Sequence, residues 1–196
     1  MSFFKLRKTS KNIALFVDGP NMLRKEFDTD LDNIRKKLEE YGRVAQSIVF
    51  LNQYAPDKLI EAVTNQGFQP VIGMGGTKDD QTDVDVYMSV EAIEAVHNKN
   101  IGMIALATRD ADFLPVVQTA KKHGKKVIIV GQNPGFSKGL QRAADIVIDI
   151  TKPQINRYNR NSNYNKNRNT TRNNAVVFPK KNNTMNNKSK TDASKK

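Results

Sequence analysis

Apolar positions along the chain fall into short unbroken runs, separated by stretches in which they recur every three or four residues. The first run, Ile-Ala-Leu-Phe-Val at 13–17, is bounded by polar residues and reads as a buried strand. Further strands are predicted over 44–51, 70–72, 101–107, 127–130 and 146–150, rich in β-branched and aliphatic residues. Between them the spacing turns helical. Leu31, Ile34 and Leu38 mark a helix over 31–41, and another is predicted over 56–65, with Pro56 in its first turn and Gly67 just past its end. Val84, Met88, Ala92 and Ala95 mark a helix over 84–96, with Thr82 and Asp83 as candidate N-caps. Residues 113–122 give a fourth helix ending at Gly124, and 140–144 a short fifth. Strands alternating with helices imply βαβ crossovers and a sheet covered on both faces. The predicted class is α/β, a Rossmann-like three-layer sandwich with a mostly parallel central sheet.

The alternation stops near residues 150–153. Beyond it the chain reads NRYNRNSNYNKNRNTTRNN, with Tyr158 and Tyr164 interleaved among Asn and Arg and few apolar residues. Such a segment cannot bury enough surface to offset its ordering entropy. The sequence therefore divides into a folded domain over 11–150 and a disordered basic tail over 151–196. Ala-Val-Val-Phe at 175–178 is the tail's one candidate docking element.

Charge sharpens this division. The chain carries a net +12, and the tail holds twelve Lys or Arg against the single acid Asp192. Residues 1–150 nearly balance, with twenty basic and nineteen acidic side chains. The tail is thus a candidate nucleic-acid-binding feature, able to displace counterions from a phosphate backbone, with Tyr158 and Tyr164 available to stack on bases. A solubilising extension is the plainer alternative. The chain has no cysteine, which excludes disulfides and thiolate chemistry. Its two histidines, His97 and His123, lie near helix ends and read as dipole-matched surface residues. No apolar run approaches the ~20 residues of a membrane span, and the basic start at 1–8 has no apolar stretch behind it. A cytoplasmic location without a membrane partner is expected.

In open α/β sheets ligands bind beyond the C-terminal ends of the strands, where the strand order reverses. Asp18 is the first polar residue after the first strand, followed by Gly19, Pro20 and Asn21. The fourth strand runs into Ala-Thr-Arg-Asp-Ala-Asp-Phe at 107–113, which delivers Asp110 and Asp112. In the usual doubly wound order these two strands are neighbours at the switch point. A helix starting near Thr82 brings Asp83 and Asp85 to the same rim, whereas Glu91 lies too far round it. Clustered carboxylates are costly unless a cation occupies them. An all-oxygen set suits Mg²⁺ or Mn²⁺ better than zinc, the usual equipment for phosphodiester hydrolysis. Each residue also has a plainer reading. Asp18 to Asn21 favour a turn, Asp110 can cap a helix, and Asp83 and Asp85 suit a helix N-terminus in any case. Glu91 reads as a solvated helix residue. Three separate segments delivering carboxylates to one rim weigh towards a site.

The blocks ALFVDGPNM, TDVDVYMSVEAIE and ALATRDADFLPVV, in this order, resemble the NYN domain family, whose fold is similar to that of PIN-domain nucleases. The resemblance covers about residues 11–150 and leaves the tail outside it. It implies a PIN-like fold and metal-dependent hydrolysis of RNA phosphodiester bonds. By position it implies Asp18, Asp85, Asp110 and Asp112 as the catalytic carboxylates, holding one or two Mg²⁺ or Mn²⁺ ions. It implies Asn21, Thr108 and Arg109 as substrate-binding residues. The middle block departs from the family pattern: Thr82-Asp83 replaces the usual Lys-Gly, and Lys78 is a candidate for the missing cation. RNA is the expected partner, and a homodimer and a further protein partner are left open.

Other site chemistries fit less well. A haloacid-dehalogenase-like phosphatase wants a nucleophilic Asp two residues before its second Asp, where this chain has Phe16. A Toprim-like site wants Glu after the first strand. A dinucleotide-binding domain wants a glycine-rich loop there, but Gly-Met-Gly-Gly-Thr follows a later strand. The remaining rival is a non-catalytic RNA-binding or regulatory module on the same fold.

Overall fold

The computed structural model of the chain describes residues 10–73 and 82–152. The expectations for the tail, for Lys78 and for the glycine-rich stretch after Gly73 lie outside the described residues.

Six strands build one sheet: β1 (Asn12–Asp18), β2 (Arg43–Asn52), β3 (Gln69–Gly73), β4 (Met103–Ala107), β5 (Lys126–Gly131) and β6 (Ile146–Asp149). Their order is β3-β2-β1-β4-β5-β6, with every neighbouring pair parallel. The chain builds outward from β1 to β3, then returns to the centre and builds the other way from β4. The order therefore reverses between β1 and β4, which pair from Ile13↔Met103 to Val17↔Ala107.

The connections are α1 (Gly19–Met22), α2 (Leu31–Glu39), α3 (Asp57–Asn65), α4 (Thr82–His97), α5 (Leu114–Lys122) and α6 (Lys138–Ala143), with a 3₁₀ turn at Ala111–Phe113. The two-residue period of the strands sorts their side chains into two cores. Ala14, Phe16, Phe50, Ile104, Leu106 and Ile129 pack with residues of α4, α5 and α6. Ile13, Leu15, Val17, Leu51, Ala105 and Val130 pack on the opposite face with residues of α1, α2 and α3. The three-layer α/β sandwich is thus the fold. Central strands such as β4 read as continuous apolar runs because both of their faces are covered.

Element ends differ from the expectation in small ways. Helix α3 begins at Asp57, so Pro56 occupies the cap position and supplies no side-chain cap bond. Helix α4 begins at Thr82, which places Thr82 and Asp83 inside it; their side chains are not among those described. Strand β4 begins at Met103. Gly102 still bonds both neighbours, its N–H donating to Asn12 O at 3.0 Å and its carbonyl accepting from Lys126 N at 3.1 Å. Neither α1 nor the 3₁₀ turn was anticipated, because each is too short to show a period.

Candidate functional site

Asp18 is the last residue of β1 and caps α1, so the turn reading and the functional reading describe the same residue. The close approach of α1 to β2 requires glycine next to it. A Cβ on Gly19 would lie 2.3 Å from the Phe50 carbonyl oxygen. Asp18 is 1 % exposed. One carboxylate oxygen accepts the Asn21 N–H at 3.1 Å, and the other accepts the Thr108 hydroxyl at 2.9 Å. Thr108 follows β4 directly and is also buried. Its hydroxyl oxygen accepts the Asp110 N–H at 3.2 Å. Asp110 caps the 3₁₀ turn by accepting the Asp112 N–H at 3.0 Å. A continuous chain of hydrogen bonds thus joins the ends of β1 and β4 at the switch point.

Asp85 reaches the same rim from the first turns of α4, on the face of the sheet that carries Phe16. Burial pushes its carboxyl up to about 7, and the negative charges of Asp18, Asp110 and Asp112 add to the rise. Burial likewise raises Asp18 to about 6, with help from Asp110 and against the bonds from Thr108 and Asn21 and the charge of Arg109. Asp85 thus lies within reach of the charges of Asp18, Asp110 and Asp112, and Asp18 within reach of that of Asp110. Glu91, one and a half turns further along α4, has no part in these interactions.

The donor set at this rim is all oxygen, and among the described residues each Asp18 oxygen accepts one hydrogen bond. Among the described residues, no three carboxylates or imidazoles stand near enough to surround one ion together. The fit is to a hard divalent cation that takes one or two carboxylates directly and completes its shell with water, the habit of Mg²⁺.

Arg109 is tied down on three sides. Its Nε donates to the Asn21 side-chain oxygen at 2.9 Å, its Nη1 donates to the Pro134 carbonyl, and its guanidinium lies 4.1 Å from the centre of the Phe27 ring. Its own carbonyl accepts the N–H of Ser137, the N-cap of α6. Beside it opens a hollow of about 360 Å³ lined by Asn21, Arg109, Asp110, Ala111, Gly135 and Ser137. A larger hollow of about 900 Å³ lies at the N-terminal ends of the strands, near Lys11, Tyr41 and Gly102, away from every carboxylate named above.

The sequence reading missed Phe27, the Pro134–Ser137 loop and Gln132. Gln132 is a buried polar residue just beyond β5, whose amide donates to Thr29 Oγ1 at 2.7 Å. A polar residue directly after an apolar strand is the signal that singled out Asp18, and it was available for Gln132 too. Phe27 and Pro134 offer no comparable local signal.

Among known structures, this fold resembles that of a Vibrio parahaemolyticus protein described as of unknown function. The TM-score is 0.63 at 19 % identity, covering 73 % of this chain and 94 % of that one. In sequence the chain is similar to an uncharacterised protein of Methanocaldococcus jannaschii, 58 % identical over 144 residues. That match takes in 74 % of this chain and 57 % of the archaeal protein, so it spans little more than half of the relative's length. No described helix is long and apolar enough to cross a membrane. The family model for the NYN domain matches residues 12–151, from the first residue of β1 to just beyond β6, and the chain belongs to the NYN domain family.

Proposed function

We propose that the chain is a metal-dependent ribonuclease that hydrolyses RNA phosphodiester bonds at the β1–β4 switch point. NYN domains are nuclease-like, and the observation that carries the reading here is the buried Asp18 carboxylate at the switch point, joined through Thr108 to Asp110, with the charges of Asp18, Asp110 and Asp112 bearing on Asp85 from α4. Two carboxyls from separate segments are held ionisable at the one place where such a fold binds ligands. A burdened pair of this kind is relieved by a divalent cation, Mg²⁺ or Mn²⁺ in this reading, with Asp18, Asp85, Asp110 and Asp112 as its ligands, direct or through water. When bound, such an ion supplies an activated water and neutralises charge on the phosphate.

The protein's own groups do the positioning. Asn21 and Thr108 hold the Asp18 carboxylate in one orientation, through the Asn21 backbone N–H and the Thr108 hydroxyl. Thr108 has no free hydrogen for substrate, so in this proposal it acts through Asp18. Asn21 keeps its side-chain NH₂, and Arg109 keeps donors on Nη2. Both border the hollow beside Asp110, where a phosphate oxygen would be received. The basic tail over 151–196 adds sequence-independent affinity for RNA.

The test uses the purified full chain with a structured and a single-stranded RNA, in Mg²⁺, Mn²⁺ or EDTA, beside an Asp110→Asn variant prepared identically. The expected result is cleavage that needs metal and falls at least about a hundredfold in the variant. RNA binding without cleavage under every metal condition would overturn the proposal and leave an RNA-binding module.

A further inference from the structure

The chain has two histidines and no cysteine, and the two histidines touch each other. His97 ends α4 and His123 caps the C-terminal end of α5. Their rings stand 4.9 Å apart between centroids, at 74° to one another, and both are exposed. The Nδ1–H of His123 donates to the Thr119 carbonyl at 2.9 Å. A carbonyl can only accept, so Nδ1 carries a hydrogen and, in the neutral ring, the lone pair is on Nε2. Metal-binding histidines are ordinarily oriented in this way, by a second hydrogen bond to a carbonyl or carboxylate.

The separation fits as well. Two imidazoles bound to one ion at about 2.0–2.1 Å, with a near-tetrahedral angle between them, have ring centres about 5 Å apart. Both rings also sit at helix C-termini, where the backbone dipoles favour positive charge. Just beyond α4, the carbonyls of Asn98 and Ile101 accept from the Lys125 ammonium.

We propose that His97 and His123 form a two-imidazole site for a borderline divalent cation of the zinc type, which pins the C-terminal ends of α4 and α5 together. No third His, Asp or Glu among the described residues joins them, so water completes the shell. The site differs from the carboxylate rim in both donor and place. It offers nitrogen where the rim offers oxygen, and twelve residues of α4, about 18 Å of helix, separate His97 from Asp85. It stands whether or not the chain cleaves RNA.

The experiment titrates Zn²⁺ into the full chain with Mg²⁺ in large excess to occupy carboxylates, read by calorimetry and by imidazole ¹⁵N resonances. Variants are His97→Ala, His123→Ala and the double substitution, with circular dichroism to verify their folding. One zinc per chain is expected in the micromolar range, weakened about tenfold or more by either substitution, with the His123 Nε2 resonance displaced. The absence of saturable binding below millimolar zinc would overturn the site, leaving an edge-to-face ring contact. So would equal binding by the double variant, or imidazole resonances that do not move.

Discussion

Thr108 has a single hydroxyl hydrogen and no exposed surface, so its bonding admits one arrangement. It accepts from the Asp110 N–H and must donate to Asp18. The Asp18 carboxylate is therefore well oriented yet poorly solvated, with its carboxyl raised to about 6 from an ordinary 3.8. In the metal-free protein at neutral pH, the folded state must carry this charge in a buried place. Asp18→Asn removes it. The variant is expected to lose cleavage. In EDTA the wild type should lose stability as pH rises from about 4 to about 6, where the unfolded chain ionises Asp18 and the folded one resists it, and Asp18→Asn should lose that part of the pH dependence. Urea unfolding at a series of pH values would measure it, and identical pH profiles for the two proteins would show that Asp18 is not strained by burial. Arg109 offers a second test. Lysine keeps the charge but loses the planar face on Phe27 and the paired donors to Asn21 and Pro134. Arg109→Lys should cost about 1–3 kcal/mol of unfolding free energy, measured by denaturant titration.

The elements were legible where burial wrote a pattern. β1, β4 and β5 lie between two helical layers, so their apolar runs are unbroken. Helix α2 has one buried stripe, Leu31, Ile34 and Leu38, at helical spacing. Helix α4 was harder to read because Val86, Tyr87 and Val90 are apolar on its exposed side as well. The carboxylates were legible because Asp18 and Asp110 follow apolar strands directly. The clamp on Arg109 was not, since Phe27 and Pro134 reach it from distant parts of the chain and long-range contacts leave no local period. Another such tie joins elements at the far side of the sheet. Asp145 accepts the Val127 N–H at 2.8 Å and pairs with Lys121 at 2.9 Å, and Lys121 also donates to the Ala143 carbonyl. Partial burial raises the Asp145 carboxyl, but its bonds to Val127 and Lys121 outweigh this and hold it below the ordinary 3.8. A carboxyl depressed by folding contributes stability above its unfolded value, and that contribution is lost as pH falls through the folded one. Asp145→Asn should thus be less stable than the wild type at neutral pH. The difference should shrink below pH 3.8. Urea titrations at stepped pH would measure it, and a difference independent of pH would assign the effect to packing instead.

At the level of the whole molecule, charge and chemistry are kept in different parts of the sequence. The first 150 residues are nearly neutral with an acidic rim, and the excess of positive charge lies beyond them. An anionic substrate gains little from the domain's own field, so the tail is expected to supply much of the affinity. Removing residues 152–196 should weaken RNA binding and flatten its dependence on salt, read by fluorescence anisotropy over a range of KCl. Unchanged affinity would leave the tail without that role. The switch point itself has a consequence in time. Thr108 and Asp18 are 90 residues apart, and they meet only when β4 docks beside β1. Pairing over that distance closes a long loop before any contact rewards it, which makes it a slow event in folding. A nascent chain that has emerged only as far as β3 has its first carboxylate and Asn21 but lacks Thr108, the second group that orients it. On the proposed reading, cleavage cannot begin during the protein's own synthesis until β4 has been made.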